Sequence, residues 1–283
     1  MFNKPLMPCF CKTLVMGSCF YGLKLVKMIL RRLGNKQAIA QDIIKYFPEH
    51  KIYIEPFFGA GGMFFNKPKA QHNIMNDLDS DVFNLFDIVV NRKNDFLELL
   101  ELTPYSSELF EYWKSNKETE PLKKALRFVY LSNFGFLGQE TVINIDNRNH
   151  KQNAILNLNK TIAFLKDCSL KFTNFDFRKA INSIKTTEDL TVKKTFIYCD
   201  PPYLGTNDNY SNSFTEQDSI DLFDCLQATG CKFAMSEFDN EFILTQAKER
   251  GLNVITIGER KNLKNRRTEI LITNYEKQKG LFD

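Results

Sequence analysis

The sequence of 283 residues predicts an α/β fold built on an open, mainly parallel seven-stranded sheet. Short apolar segments typical of strands occur seven times, and amphipathic helical patterns separate most of them. One long interval, residues 91–165, interrupts this alternation with helical patterns and a polar loop. Because alternating strands and helices favour a parallel sheet covered on both faces, we expect an α/β domain that carries a mostly helical insertion.

The first part of the fold is predicted from residues 36–90. Apolar residues recur at helical spacing in KQAIAQDIIKYFPEH, and Pro48 ends that pattern. Two short strands follow, KIYIE and NIMN, with the glycine-rich segment PFFGAGGMFF between them. The next segment, SDVFNLFDIVV, again has the apolar spacing of a helix.

The interval of residues 91–165 divides the domain into two parts. Residues 95–132 have helical patterns, whereas residues 133–153 are polar and rich in turn formers. One more helix then precedes five strands, LKFTN, TFIYC, CKFAMS, NVITIG and TEILITNY, and the short link between the last two allows an antiparallel pair. We therefore assign residues 28–90 and 166–283 to one domain, residues 91–165 to an insertion and residues 1–27 to an N-terminal extension.

The composition is that of an ordinary globular protein, with 43% hydrophobic and 25% charged residues. The net charge of +4 favours an anionic partner only weakly. Seven cysteines without C-x-x-C spacing are typical of a reducing compartment, so we expect a cytoplasmic location. Three scattered histidines predict no metal site, and no apolar run reaches the roughly 18 residues of a membrane-spanning helix.

A glycine loop follows the first strand. Gly59, Gly61 and Gly62 would let the backbone approach a ligand closely at the start of a following helix, where free N–H groups point outward. A nicotinamide-binding G-x-G-x-x-G fingerprint would need a third glycine where Phe64 stands, which argues against an oxidoreductase. The alternative to a ligand site is a tight connection between a strand and a helix.

Three acids stand where strands of the predicted sheet end. Ligands bind beyond the carboxyl ends of the strands in such sheets, and Glu55, Asp77 and Asp200 occupy those ends. A carboxylate at Asp77 could accept hydrogen bonds from both ribose hydroxyls of an adenosine. As an alternative, Asp77 could cap the helix that begins near residue 80.

The segment DPPY, residues 200–203, is the most specific motif. Two consecutive prolines fix two φ angles, so Asp200 and Tyr203 stand on a stiff frame. Asp200 and the carbonyl of Pro201 offer two acceptors to a planar exocyclic amine, and Tyr203 offers a flat face to an unstacked base. Hydrogen bonds to both amine protons would free the nitrogen lone pair for attack on a methyl group. Pro202 completes the predicted catalytic set, whose alternative is a proline turn that ends a strand.

Together with these motifs, the chain resembles the alpha group of amino-methylating DNA methyltransferases, the DNA adenine methylase family, over about residues 29–275. The matching segments occur in the family's order: RRLGNK, EPFFGAGG, NDLDSD, LRFVYLSNFGFLG, DPPY and RTEILITNY. The resemblance implies a Rossmann-like methyltransferase sheet, a target-recognition insertion at residues 91–165 and S-adenosylmethionine as cofactor. The residues implied to bind this cofactor are Arg32, where family members often carry an aromatic or other large residue, and Lys36, Glu55, Phe57, Gly59, Gly61, Asp77 and Asp200.

Basic residues in two places are candidates for contact with DNA. Arg148, His150 and Lys151 lie in the polar part of the insertion, and Arg266 and Arg267 lie at the last strand, where phosphates are their expected partners. For each of them a solvated surface position is the alternative. Cys199 could suggest a thiolate that attacks cytosine, but its place inside a strand favours a packed core thiol.

We therefore predict a site-specific DNA adenine-N6 methyltransferase that acts on a flipped-out adenine in double-stranded DNA. It would belong to a restriction-modification system, with a cognate restriction endonuclease as partner, or act as a solitary or phage methylase. The nearest alternatives are a DNA cytosine-N4 methyltransferase and an RNA adenine methylase. An alternative from a different functional class is a DNA-binding module without enzymatic activity. The intact DPPY motif argues against it.

Overall fold

A computed structural model describes residues 29–30, 34–138, 140–146, 148–184, 189–205, 214–261 and 266–276. The predicted N-terminal extension, residues 1–27, and Arg32 lie outside the described residues. The described chain starts with Ile29 and Leu30, whose side chains are fully buried. The side-chain amide of Asn133 also donates a hydrogen bond to the carbonyl of Ile29. Ile29 and Leu30 are therefore packed into the folded part of the protein.

A seven-stranded mixed sheet forms the centre of the molecule, in the order β3-β2-β1-β4-β5-β7-β6. The first five strands in that order run parallel, and β7 pairs antiparallel with both β5 and β6. All seven predicted strands and the antiparallel last pair are thus confirmed. Their bounds are Ile52–Glu55 (β1), His72–Asn76 (β2), Leu170–Thr173 (β3), Thr195–Cys199 (β4), Lys232–Phe238 (β5), Asn253–Lys261 (β6) and Arg266–Thr273 (β7).

Ten α-helices lie within the described residues: Ala40–Ile44 (α1), Ser80–Asn91 (α2), Lys93–Leu102 (α3), Ser107–Ser115 (α4), Pro121–Phe134 (α5), His150–Lys166 (α6), Phe177–Asn182 (α7), Asp189–Lys193 (α8), Glu216–Ala228 (α9) and Glu241–Glu249 (α10). Three short 3-10 turns accompany them, at Lys36–Ile39, Phe64–Asn66 and Phe136–Gly138. None of the helices that the structure describes is long and apolar enough to cross a membrane.

The expectation of a helix directly after the glycine loop is wrong. Only the three-residue 3-10 turn Phe64–Asn66 forms there. Phe64 and Phe65 are buried under the loop, and the segment leaves the turn at Lys67 in an extended conformation, one residue before Pro68. The residue before a proline is disfavoured in the helical region, so the turn cannot grow into an α-helix. Free N–H groups of a helix are therefore absent at this point of the described chain.

Two hydrophobic clusters cover the two faces of the sheet. Successive side chains of a strand point to opposite faces, and in β4 Phe196 and Tyr198 join one cluster while Ile197 and Cys199 join the other. Cys199 is fully buried, and burial raises the pKa of its thiol well above the usual value. The prediction that Cys199 is a core thiol is therefore confirmed.

The helices of the predicted insertion, α3 to α6, pack onto the same side of the sheet as α2. Phe110 of α4, Val129 of α5 and Leu158 of α6 belong to one buried cluster with Tyr53 of β1. The helical character of residues 95–132 is confirmed. The polar loop is shorter than expected, because α6 begins at His150, where the side chain of Asn149 accepts a hydrogen bond from the Gln152 amide and caps the helix.

Candidate active site at the carboxyl ends of the strands

The strand order reverses between β1 and β4, which leaves a crevice at their carboxyl ends. Glu55 ends β1, Asp77 follows β2 and Asp200 follows β4, so the structure brings the three predicted acids to this crevice. Asp77 and Asp200 lie on opposite sides of β1, because β1 separates β2 from β4 in the sheet. The site thus has two sides, one at the glycine loop and one at the DPPY motif.

Backbone amides hold the carboxylate of Asp77 in place. The amide of Gly59 donates a hydrogen bond of 2.6 Å to Oδ2 of Asp77, and the amide of Asp79 donates one of 2.9 Å to Oδ1. The side chain that caps α2 is Asp79, which accepts a hydrogen bond from the Asp81 amide. Asp77 is therefore not the cap of that helix, and its half-buried carboxylate links the end of β2 to the glycine loop.

The glycine loop requires glycine at two positions for different reasons. Gly61 has a φ of 74°, and a Cβ atom there would meet the rings of Phe58 and Phe65 at 2.6–2.7 Å. At Gly62 a Cβ atom would lie 2.4 Å from Oδ1 of Asn35 and 3.1 Å from the amide nitrogen of Lys36. The loop therefore packs directly against the segment that carries Lys36.

Glu55 lies below the surface of the crevice. It is almost fully buried, and its Oε2 accepts a hydrogen bond of 2.9 Å from the hydroxyl of Tyr53. Burial raises the pKa of the Glu55 carboxyl well above its usual range, although the Tyr53 hydrogen bond acts in the opposite direction. The buried ammonium of Lys67 lies 4.0 Å from the Tyr53 ring centroid, and burial lowers its pKa to about 8. The contact of Glu55 with a cofactor stays a prediction.

Lys36 and Asp200 form an ion pair across the crevice. The ammonium nitrogen of Lys36 lies 2.6 Å from Oδ1 of Asp200, and the two residues are separated by 164 positions in the chain. The Lys36 side chain is 3% exposed, whereas that of Asp200 is 21% exposed. The same ammonium lies 4.4 Å from the ring centroid of Tyr203. Asp200 is thus oriented by a buried cation and remains partly accessible.

The ring of Tyr203 is more buried than its predicted role suggests. It packs edge to face against Phe238, with 4.6 Å between the ring centroids, and its hydroxyl donates a hydrogen bond of 2.5 Å to Oε1 of Glu269. Burial also raises the pKa of Tyr203 well above the usual value, so its hydroxyl stays protonated as a donor. Stacking of a base on this ring stays a prediction.

Two buried glutamates beside the DPPY motif were not singled out from the sequence. Glu237 of β5 accepts hydrogen bonds from the amides of Leu204 and Phe238, and Glu269 of β7 contacts Tyr203 and Lys36. Burial raises the pKa of Glu237 to about 8. The sequence signal that could have found them is an acid placed inside an apolar strand, as in FAMSEF and TEILIT.

An aromatic group lies beside the glycine loop. The ring of Phe57 is 5.5 Å from that of Phe177 at the start of α7, and 6.1 Å from that of Phe214. Phe57 is half-buried, and Phe177 is buried in the cluster on that side of the sheet. The sequence indicated only the backbone of Phe57, whereas the structure brings flat side chains to the same place.

The predicted DNA contacts of the insertion lie together at the start of α6. Arg148 is exposed and pairs with Asp146, whose pKa is lowered chiefly by the hydrogen bonds from that arginine. His150 is 5% exposed, and its Nε2 lies 2.7 Å from Oδ1 of Asp146. The ammonium of Lys151 donates a hydrogen bond to the carbonyl of Glu101. Among the three, Arg148 presents a charged group to solvent, and all three DNA contacts stay predictions.

The second pair of predicted DNA contacts lies at the start of β7. Arg267 lies beside the DPPY motif, where its Nη2 donates a hydrogen bond of 3.3 Å to the carbonyl of Gly205, and its guanidinium lies 5.2 Å from the Phe238 ring centroid. The side chain of Arg266 lies outside the described part of the chain. Their phosphate contacts also stay predictions.

Known proteins resemble this chain along most of its length. A family model described as D12 class N6 adenine-specific DNA methyltransferase matches residues 33–269. The DNA adenine methylase of Haemophilus influenzae is 30% identical over 185 residues, which cover 62% of this chain and 63% of that protein. The Escherichia coli K12 enzyme of the same name is 26% identical over 217 residues, or 71% of this chain and 75% of that protein.

A third DNA adenine methylase, from Vibrio cholerae, is 23% identical over 253 residues, which cover 82% of this chain and 81% of that protein. Among solved structures, a putative methyltransferase from Streptococcus mutans in complex with SAH aligns over 84% of this chain and 97% of its own, with a TM-score of 0.41 and 10% identity.

The family model and the DNA adenine methylases confirm the predicted resemblance and the enzyme class that it implies, a methyltransferase acting on adenine in DNA with S-adenosylmethionine as methyl donor. Since the family model spans most of the chain, from residue 33 to residue 269, this protein belongs to the D12 class of N6 adenine-specific DNA methyltransferases.

Proposed function

We propose that this protein methylates N6 of an adenine flipped out of double-stranded DNA, with Asp200 as the residue that receives the amine. The observation that carries this proposal is the partly exposed Asp200 carboxylate, held by Lys36 at 2.6 Å and standing at the crevice where the strand order reverses. An acceptor fixed in this way can orient an amine without rearranging during the reaction.

The residues around the crevice fit S-adenosylmethionine by their chemistry. The Asp77 carboxylate suits the ribose hydroxyls, and the ring of Phe57 suits the flat face of the adenine. Close packing of the glycine loop, in which Cβ atoms at Gly61 and Gly62 would collide with their neighbours, keeps backbone rather than side chains at the edge of the crevice. When bound, this cofactor supplies an electrophilic methyl group on a positively charged sulfur.

The chain's own groups orient and activate the amine. Asp200 accepts a hydrogen bond from one N6 proton, and the carbonyl of Pro201 accepts one from the other, which shifts the nitrogen toward tetrahedral geometry. The nitrogen lone pair freed in this way would be directed at the methyl group that the cofactor would supply, with the neutral thioether of the cofactor as the leaving group. The excess proton on nitrogen leaves along its hydrogen bond to Asp200. No covalent intermediate with the protein is needed, so positioning and electrostatics carry the rate enhancement.

The insertion supplies the surface that meets the DNA. Among the described side chains of its loop, Phe136, Val142 and Ile145 are apolar and exposed, and Ile145 is 90% exposed. A bridge between Gly135 and Ile143 and the hydrogen bond from Phe136 to the carbonyl of Val142 hold this loop together. Exposed apolar side chains next to the cation of Arg148 suit contact with unstacked bases and phosphates. Residues 91–165 are therefore proposed as the target-recognition region.

Extrusion of the adenine costs a few kcal/mol, because base pairing and stacking are lost. The hydrogen bonds to Asp200 and Pro201 and contact with Tyr203 would offset that cost.

A cytoplasmic location and a restriction endonuclease that acts on the same site would suit an enzyme of a restriction-modification system, and both stay predictions.

Analysis of the methylated product tests the proposed function. The purified full chain is incubated with unmethylated plasmid DNA and methyl-labelled S-adenosylmethionine, and the DNA is then digested to nucleosides and separated. We expect the label in N6-methyldeoxyadenosine, at one sequence context when the modified bases are located by sequencing. Label in N4-methyldeoxycytidine, or transfer only to RNA, would contradict the proposal.

A further inference from the structure

The buried Glu269 connects the tyrosine and the lysine of the proposed active site. Its Oε1 accepts the hydrogen bond from the Tyr203 hydroxyl, and the ammonium of Lys36 lies 3.6 Å from the same oxygen. Lys36 in turn pairs with Asp200. One carboxylate at the back of the site therefore contacts two of the groups that surround the proposed acceptor.

The antiparallel pairing of the last strands fixes the position of Glu269. It lies opposite Phe238 in the register of β5 and β7, and Phe238 is the residue whose ring packs against Tyr203. Directly paired residues of an antiparallel sheet project from the same face, so Phe238 and Glu269 together form the floor under the Tyr203 ring. The ring is held through an apolar contact and a hydrogen bond at once.

Burial of a carboxylate in a strand is costly unless specific partners compensate for it. Glu269 is 1% exposed, and the neighbouring residues of its strand, Ile270 to Ile272, are apolar and buried. An apolar residue at this position would pack in the sheet without that desolvation penalty. The acid is therefore explained by what it contacts, the hydroxyl of Tyr203 and the ammonium of Lys36, rather than by the packing of the strand.

We propose that Glu269 is a positioning residue for methyl transfer, which fixes the ring of Tyr203 and the ammonium of Lys36 relative to Asp200. This inference rests on the proposed function, because the geometry matters only if Asp200 and Tyr203 receive the adenine. Glu269 lies behind both groups and acts through them, without contact to the base. A ring that is free to tilt, or an ammonium that shifts away from Asp200, would misplace the amine without unfolding the protein.

Steady-state methylation kinetics of Glu269→Gln, Tyr203→Phe and the double variant test this proposal in the full-length protein. Tyr203→Phe removes the hydroxyl and keeps the ring. Glu269→Gln replaces the charged acceptor of that hydroxyl by a weaker neutral one and also removes the charge that faces Lys36, so it perturbs both contacts. We expect kcat to fall about tenfold to a hundredfold in each single variant, the effect of a small misplacement of reacting groups. The KM values for DNA and S-adenosylmethionine should stay within about threefold of the wild type, because the groups that bind them are intact.

The kcat of the double variant shows whether Glu269 and the Tyr203 hydroxyl act together or independently. If Glu269 acts partly through the Tyr203 hydroxyl, the double variant should be no slower than about twofold below the worse single variant, whereas independent effects would multiply. Glu259→Gln, an exposed acid on the adjacent strand β6, is the matched control and should keep the wild-type kcat.

Three results would overturn the inference. The first is a wild-type kcat in Tyr203→Phe, which leaves Glu269 untouched and so remains informative even if Glu269→Gln fails to fold. The second is a fully multiplicative loss in the double variant, and the third is a rise of KM without a fall of kcat. A wild-type chain that transfers no methyl group to DNA would instead refute the proposed function, and this inference with it.

Discussion

The two sides of the crevice use acids in opposite ways. On the glycine-loop side, Asp77 is half-buried, and backbone amides of Gly59 and Asp79 donate to both of its oxygens. On the DPPY side, Glu237 and Glu269 are almost fully buried behind Asp200, and burial raises the pKa of Glu237 to about 8. In the proposed function, acids near one edge of the sheet therefore serve two purposes: Asp77 presents a carboxylate to the cofactor, and the buried glutamates hold other residues in position.

Substitutions on the two sides of the crevice should have different kinetic effects. Substitution of the accessible acid on the glycine-loop side should change the affinity for the cofactor, because the cofactor is its proposed ligand. An acid at the reacting amine should affect the chemical step, because its hydrogen bond strengthens as the nitrogen changes geometry. Substitutions of the same kind, aspartate to asparagine, can therefore be compared directly on the two sides.

Asp200→Asn should have the largest effect, a fall in kcat of about a thousandfold, because it removes the charge that stabilises the developing positive charge on the nitrogen. The affinity for S-adenosylmethionine, measured by calorimetry, should remain within about tenfold of the wild type. An Asp200→Asn variant with wild-type kcat would exclude this residue from the reaction.

Asp77→Asn should show the reverse pattern. We expect the Kd for S-adenosylmethionine to rise about tenfold to a hundredfold, the usual effect of losing one charged hydrogen bond, with kcat at saturating cofactor nearly unchanged. Asp79→Asn is the control, since asparagine also caps helices well and α2 should be preserved. If Asp77→Asn lowers kcat without changing the Kd, Asp77 affects the chemical step and not cofactor binding, contrary to this prediction.

Gly62→Ala should have an intermediate effect that connects the two sides. The added methyl group would lie 2.4 Å from Oδ1 of Asn35, so the segment that carries Lys36 must move away from the glycine loop. We expect a loss of about 1 to 3 kcal/mol in the free energy of unfolding, as for other overpacked sites, and a fall in activity of at least tenfold. Denaturant unfolding and methylation rates measure the two effects.

The control for that variant is Gly258→Ala in β6. A Cβ atom at Gly258 meets nothing within 4 Å, and its φ is not in the left-handed region. We expect this variant to keep wild-type stability within about 0.5 kcal/mol, as for other surface substitutions, and wild-type activity. Equal losses of stability and activity in the two variants would show that the contact between the glycine loop and the Lys36 segment does not account for the effect of Gly62→Ala.

The strands were predictable from the sequence because their signal is local. Each of the seven predicted segments is a short apolar run whose periodicity is visible within the run itself, and the acids at the ends of β2 and β4 follow directly. The helix expected after the glycine loop does not form, because burial in the tertiary structure overrides the local pattern. Glycines before a hydrophobic segment suggested a helix, whereas burial of Phe64 and Phe65 and the proximity of Pro68 allowed only a short turn.

The buried half of the site could not be predicted in the same way, because it depends on contacts between distant residues. The motifs pointed to Lys36 and Asp200 separately, but their ion pair spans 164 positions and is created by the strand order. The contact between Tyr203 and Glu269 depends on the register of β7 against β5. His150 looked like a surface base, and only the packing of α6 shows that its ring is buried.

The pH dependence of the free energy of unfolding should report the charge of Glu237, with the smallest effect among these predictions. Glu237 has a pKa of about 8 in the folded protein and an ordinary value of 4.5 in the unfolded chain. Between these values the folded state binds more protons than the unfolded state, so this residue makes the free energy of unfolding decrease as pH rises, until the slope ends near pH 8. His50, whose pKa burial lowers from 6.5 to about 4, contributes the opposite slope, but only below pH 6.5.

The interval from pH 6.5 to 8 therefore isolates Glu237 from His50. We expect the wild type to lose about 1 to 2 kcal/mol of stability more than Glu237→Gln across this interval, measured by denaturant unfolding at each pH, since each unit of pKa difference corresponds to about 1.4 kcal/mol. Glu241→Gln, an exposed acid at the start of α10, should follow the wild-type curve. Parallel curves for wild type and Glu237→Gln would mean that Glu237 is ionised in the folded state. A charge would then be buried behind Asp200, and Glu237 would differ from Asp77 in its burial and in the residues that it contacts.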